Sequence, residues 1–237
     1  MSDLNELKSS LQKVSSKEKA KSSAWFFKTD PGQYGEGDQF IGIPVPEQRK
    51  VARQFRNLPL ETVEQLLRSP IHEERLVALF ILVDQFNQGN ETVKKEIYEF
   101  YLRNTDKVNN WDLVDSSAGY IVGGYLLTKP RAVLYKLAKS KNLWERRISI
   151  ISTLAFIVKG ESKDTLAIAE ILLTDKHDLI QKAVGWMLRE IGKRVSKKEL
   201  IDFLKTKYSQ TPRTTLRYAI EHFPPETRKK FLQGNFD

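Results

Sequence analysis

Within WDLVDS (111–116) a tryptophan and an aspartate stand four residues apart, and ERRISIISTL (145–154) brings an arginine, Arg147. Four residues is one helical turn, so Trp111 and Asp115 share a face. An indole offers its π face to a cation. A carboxylate offers negative charge or activates a water. A guanidinium forks onto a phosphate. Cleavage of a glycosidic bond passes through a positively charged, oxocarbenium-like sugar, which the first two groups suit. The alternative for Asp115 is architectural: a half-buried carboxylate paired with a cation of the neighbouring helix, for which Arg147 is the candidate. Asp112 needs no such reading. With Asn109 or Asn110 as N-cap it falls in the first turn, where a carboxylate complements the helix dipole. Trp111, Asp115, Ala118 and Val122 are expected on one helical face. Gly119, Gly123 and Gly124 follow, and three glycines in a helix point to the close approach of another helix or of a ligand, the helix being favoured.

The elements that must position these groups read as helices. Apolar residues recur at helical spacing over 71–88, 91–104, 143–158 and 179–194. Asn90 suits an N-cap, Pro130 and Pro212 suit first turns, and Gly89 and Gly160 suit helix ends. No convincing alternating strand is found. TDPGQYGEGDQFIGIPVP (29–46) is expected to be an ordered loop. Its GxG follows no strand and carries Glu36 and Asp38, which repel phosphate, so it reads as a structural turn.

A repeat is also visible. Arg147, Lys182 and Arg217 are spaced 35 residues apart near the starts of similar helices; Arg75 precedes Arg147 by about twice that interval, and Trp111 falls between them. Repeating pairs of helices at this period are the signature of a helical solenoid. Equivalent positions then align on a concave surface, so Arg75, Trp111, Arg147, Lys182 and Arg217 are expected to form a ladder suited to duplex phosphates. The bland reading is that these cations are simply solvated.

The composition sets the bounds. The chain has 237 residues, 40% hydrophobic and 29% charged, as expected of a globular protein with a real core. Lys plus Arg is 39 against 30 acidic residues, a net charge of +9, which favours a polyanionic partner. There is no cysteine, which removes disulfides and thiolate chemistry. No apolar run reaches membrane-spanning length, and the amphipathic start lacks a signal-peptide core, so the expected address is the cytoplasm. His72, His177 and His222 are isolated and lack metal-ligand spacing, so no metal is expected. Trp25 and Trp144 read as core or rim, and Arg189 and Glu190 as members of inter-helix polar pairs. Lys193, Arg194, Lys197 and Lys198 form a basic cluster, either a DNA-backbone contact or a solvated turn.

WDLVDS (111–116), LWERR (143–147) and QKAVGWMLREIGK (181–193) together resemble the AlkD family of bacterial DNA alkylation-repair glycosylases, and residues 24–52 look like that family's N-terminal portion. The resemblance covers about residues 20–223. It implies an all-α, right-handed solenoid of HEAT-like helical repeats with a basic concave cleft. The expected layout is a single domain over 1–237, with N-terminal helices 1–28, an ordered loop 29–46 and repeats over 47–234. It further implies a monofunctional glycosylase that hydrolyses the N-glycosidic bond of cationic alkylated purines, 3-methyladenine or 7-methylguanine, in duplex DNA. No cofactor and no metal are implied, and a monomer is assumed. Residue by residue, Asp115 corresponds to the catalytic aspartate, Trp111 to the aromatic against the deoxyribose, Arg147 to the arginine at the backbone and Trp186 to a second cleft tryptophan. The family's N-terminal cleft aromatic, a tyrosine in some members, falls here at Phe26 or Phe27, with Phe26 favoured. The expected DNA-binding residues are then Trp186, Lys182, Phe26, Arg75 and Arg217. The alternative function is a non-catalytic DNA-structure or damage-binding HEAT-like module. A peptide-binding scaffold fits worse, because the ladder positions are cationic.

Overall fold

The computed structural model describes residues 3–236. It is all-α: among the described residues there is no β-strand, only an isolated parallel bridge between Gln39 and Ile71. Among the described residues no helix is long and apolar enough to cross a membrane. The chain divides into two compact units, one reaching Ile121 and the other beginning at Val122.

The first unit holds α1 (Asp3–Lys13), α2 (Lys17–Phe26), α3 (Val45–Gln54), α4 (Leu60–Leu67), α5 (His72–Gln88), α6 (Glu91–Arg103) and α7 (Trp111–Asp115). Its axis is α5. The run Leu76–Leu82 is buried without interruption, so α5 is apolar around its whole circumference, as expected of a helix packed on all sides. The sequence cues for helix ends hold here. Gly89 is the C-cap of α5, and the Asn90 side chain accepts from Val93 N–H to start α6.

The loop between α2 and α3 is ordered by one buried carboxylate. Glu73, in the first turn of α5, accepts from the backbone N–H groups of Ile41, Gly42 and Ile43, the shortest bond being 2.7 Å to Gly42. Gly42 adopts a φ of +77°, and an added Cβ there would meet the Ser16 carbonyl at 2.1 Å. Only glycine fits this point of the loop.

The second unit holds α8 (Ala132–Ala138), α9 (Leu143–Ser152), α10 (Leu154–Val158), α11 (Lys163–Leu172), α12 (Asp178–Arg194), α13 (Lys197–Lys207), α14 (Arg213–Ala219) and α15 (Pro225–Leu232). The helix expected over 143–158 is broken into α9 and α10 at Thr153. Ser152 Oγ donates to the Ile148 carbonyl at 2.6 Å and Thr153 Oγ1 to the Ile150 carbonyl at 2.7 Å, and hydroxyls that bond back to the preceding turn bend helices. Pro212 is the N-cap of α14, and Gly160, at φ +83°, ends α10.

The continuous helix expected over 109–124 is not formed either. α7 ends at Asp115, a turn follows at Ser116–Ser117, and Gly119–Gly123 forms a π-helical turn. The buried Tyr101 hydroxyl lies 2.9 Å from Ser117 Oγ, which itself donates to the Leu113 carbonyl at 2.6 Å. A tertiary contact thus pins the chain where the glycines had already weakened the helix.

Candidate nucleic-acid site

α7 is short but well fixed. Asn110 is its N-cap, accepting from Trp111 N–H at 2.8 Å. Asp112 Oδ1 accepts from Leu113 N–H, and its Oδ2 lies 2.8 Å from His72 Nε2. The other imidazole nitrogen, Nδ1, lies 3.0 Å from Asp38 Oδ2. Asp38 also accepts from Arg75 at 2.6 Å and from Asn110 Nδ2 at 3.2 Å. The network therefore joins the loop, α5 and the start of α7.

The geometry favours the charged imidazole. A neutral imidazole has one N–H and would turn a lone pair toward one of the two carboxylates, whereas the imidazolium donates to both. Burial pushes His72 down, but its hydrogen bonds to Asp112 and Asp38 and the charge of Asp112 outweigh it, leaving His72 above the ordinary histidine value. Burial likewise pushes Asp38 up, while the bond from His72 and the charge of Arg75 hold it, on balance, below the usual carboxylate range. Two cations and two anions then balance within a nearly dry cluster.

An aromatic stack lies on this network. His72 stacks on Phe40 at 4.6 Å, Phe40 on Phe27 at 5.0 Å, and Phe27 on Trp111 at 5.3 Å, 12° from parallel. Phe26 meets Trp111 edge-on at 6.0 Å and stays 56% exposed. Trp111 thus has one face braced by Phe27. Asp115, one turn further on, is half-buried. Its negative charge is felt by Tyr101, whose phenol is pushed up first by burial and further by Asp115, against the bond with Ser117. Ala118 and Val122, by contrast, are fully buried.

The expected ladder of open cations is corrected by burial. Arg75 is 4% exposed, with its guanidinium held by Asp38 and the Ser69 carbonyl. It builds the network and does not face solvent. Arg147 is 5% exposed and donates to the Leu179 carbonyl at the start of α12. Lys182 is more open and pairs with Asp178 at 2.6 Å. Arg217 is exposed. A cation four residues into a helix can turn inward as well as outward, and the repeat alone does not say which.

In the second unit Trp186 is half-buried, one turn after Lys182 on α12. α12 and α14 approach so closely that a Cβ on Gly185 would meet the Thr215 carbonyl at 2.6 Å. Arg189 pairs with Glu221 in the turn after α14, but Glu190 pairs with Arg194 at 2.7 Å within α12 itself, so the expected pairing between elements holds for Arg189 alone. Trp144 is buried, but Trp25 is 82% exposed, against the expectation of core or rim. The sequence reading also missed the partners of His72. The only signal was the pair of acidic residues, Asp38 and Asp112, and both had simpler local explanations.

The fold and this geometry define an all-α helical-repeat protein with an aromatic and carboxylate site at the end of a short helix. The family model described as DNA alkylation repair enzyme matches residues 7–223, and the chain belongs to that family. A solved structure titled a predicted DNA alkylation repair enzyme, from Enterococcus faecalis, superposes with a TM-score of 0.70 over 89% of this chain and 97% of that one, at 18% identity. No curated protein matches in sequence. Membership gives the chain a role in DNA alkylation repair.

Proposed function

We propose that the protein is a monofunctional DNA glycosylase that excises cationic N3- or N7-alkylated purines from duplex DNA. The observation that carries this reading is the half-buried Asp115 one turn from a braced, partly open Trp111, in a chain of the alkylation-repair family. An alkylated purine already carries positive charge, so its departure as a neutral base needs no acid. As the C1′–N bond breaks, its electron pair goes to the base and positive charge moves to the sugar. The Asp115 carboxylate stabilises that charge and accepts a proton from the water that attacks C1′. The indole of Trp111 packs against the deoxyribose and adds π density. Trp186, Lys182, Phe26 and Arg217 are assigned to the DNA; Arg75 and Arg147, both buried, act from within, Arg75 in the network under Trp111 and Arg147 at the start of α12.

The test is release of methylated base from methylated duplex by the wild type and by Asp115→Asn. The wild type is expected to exceed spontaneous release, and the variant to lose about 10²- to 10⁴-fold while remaining folded and DNA-bound. Equal, spontaneous-level release by both, with duplex binding intact, would instead make the protein a DNA-damage binding module.

A further inference from the structure

α3, α5 and the turn after α7 enclose a pocket of about 290 Å3, lined by Arg49, Arg53, Phe80, Asp84, Ser116 and Tyr120, among others. Arg49 and Arg53 stand one turn apart on α3, and both are exposed. Neither has an ion-pair partner among the described residues. The Arg49 guanidinium lies 3.9 Å from the centre of the Phe80 ring, so it is held in place while keeping its charge. Tyr120 is 57% exposed, and Ser116 directly follows Asp115.

From these residues we infer that the pocket is a nucleotide subsite, in which Arg49 and Arg53 clamp one backbone phosphate of a DNA strand. The inference rests on the reading of this face as a DNA site. Two guanidiniums one turn apart match the oxygens of a phosphodiester and repel a metal ion or a cationic base. A hydroxyl from Ser116 adds a donor, and the open ring of Tyr120 offers a stacking surface. Tyr120 sets the rest of the ligand. A base can stack on its open ring beside the two guanidiniums, whereas Asp84 Oδ2 is buried out of reach of a ligand. A bare phosphate has no ring to stack, so a nucleotide unit fits the pocket better than an inorganic ion.

The experiment is a salt titration of affinity for an undamaged duplex, read by fluorescence anisotropy. The proteins are the wild type, Arg49→Gln with Arg53→Gln, and a charge-matched control, Lys95→Gln with Lys229→Gln. The arginine variant is expected to bind about tenfold more weakly at 100 mM salt, with the slope of log K against log salt reduced by about one. The control should change neither by as much, and Arg49→Lys with Arg53→Lys should keep the slope. On single-stranded oligo(dT), Tyr120→Ala should weaken binding about five- to a hundredfold, as loss of a stacked base does. Equal slopes and affinities for the arginine variant and the control would overturn the clamp, as would a wild type that does not bind duplex. Unchanged oligo(dT) binding by Tyr120→Ala would overturn the nucleotide assignment. Base release is scored separately: a wild type that releases no base but shows the slope change sinks the glycosylase reading and keeps the subsite.

Discussion

His72 shows how much one side chain can fasten. Removing it leaves Asp38 and Asp112 facing each other's charge without a shared donor. Loss of one partner from a buried charged network costs about 3 to 5 kcal/mol. His72→Gln is therefore expected to lower the urea midpoint strongly at neutral pH. The pH dependence follows from the direction of each shift. His72 has a folded value above 6.5, so its contribution is complete below 6.5 and is lost as pH rises through the folded value. Asp38 has a folded value below 3.8, so its contribution is present above 3.8 and is lost as pH falls through the folded value. Stability should peak between these limits. Urea titrations at stepped pH test this: the decline on the alkaline side should vanish in His72→Gln, and a wild type with no alkaline decline near neutrality would show that His72 is not charged. None of this was legible in the sequence. The partners of His72 lie 34 and 40 residues away, and helical periodicity reports nothing about contacts at such separations.

At the scale of elements, more could be read. The spans of α5, α6 and α12 follow from apolar spacing, and Asn90, Gly89 and Gly160 mark ends where capping chemistry requires them. The loop before α3 was legible as irregular, but its anchor, Glu73, was hidden among the acidic residues of a helix start. The two breaks were missed for a common reason. At Thr153 and Ser117, hydroxyls compete for backbone carbonyls, and the outcome depends on neighbours such as Tyr101 that a local window does not contain. The expectation of close helix packing at the glycines holds at Gly123. A Cβ there would meet the Ser152 carbonyl at 2.1 Å and the Ala155 Cβ at 2.9 Å. Gly123→Ala must push backbone aside, and such overpacking costs about 1 to 3 kcal/mol. A clear drop in melting temperature is expected; an unchanged value would mean that α9 yields at no cost. Within the candidate site, the pairing of Trp111 with Asp115 was legible from their spacing, while the inward turn of Arg75 was not.

At the scale of the whole molecule, the relevant quantity is the net charge of +9. A ligand held through several phosphates releases counterions on binding, so affinity falls with salt. If six to ten phosphates are contacted, affinity for undamaged duplex should fall about 10³- to 10⁵-fold between 50 and 200 mM salt. Filter binding at three salt concentrations checks this, and a flat response would remove the polyanion as partner. The cations that would respond are the exposed ones, such as Arg49, Arg53 and Arg217.

The four charges of Asp38, His72, Arg75 and Asp112 stand outside that response. Mobile ions act on charges that water reaches, and these side chains are between 2% and 13% exposed. A concentrated salt wash should therefore strip co-purifying nucleic acid from the protein while the fastening beneath Trp111 stays closed. The protein recovered after desalting should be ready to bind again without refolding.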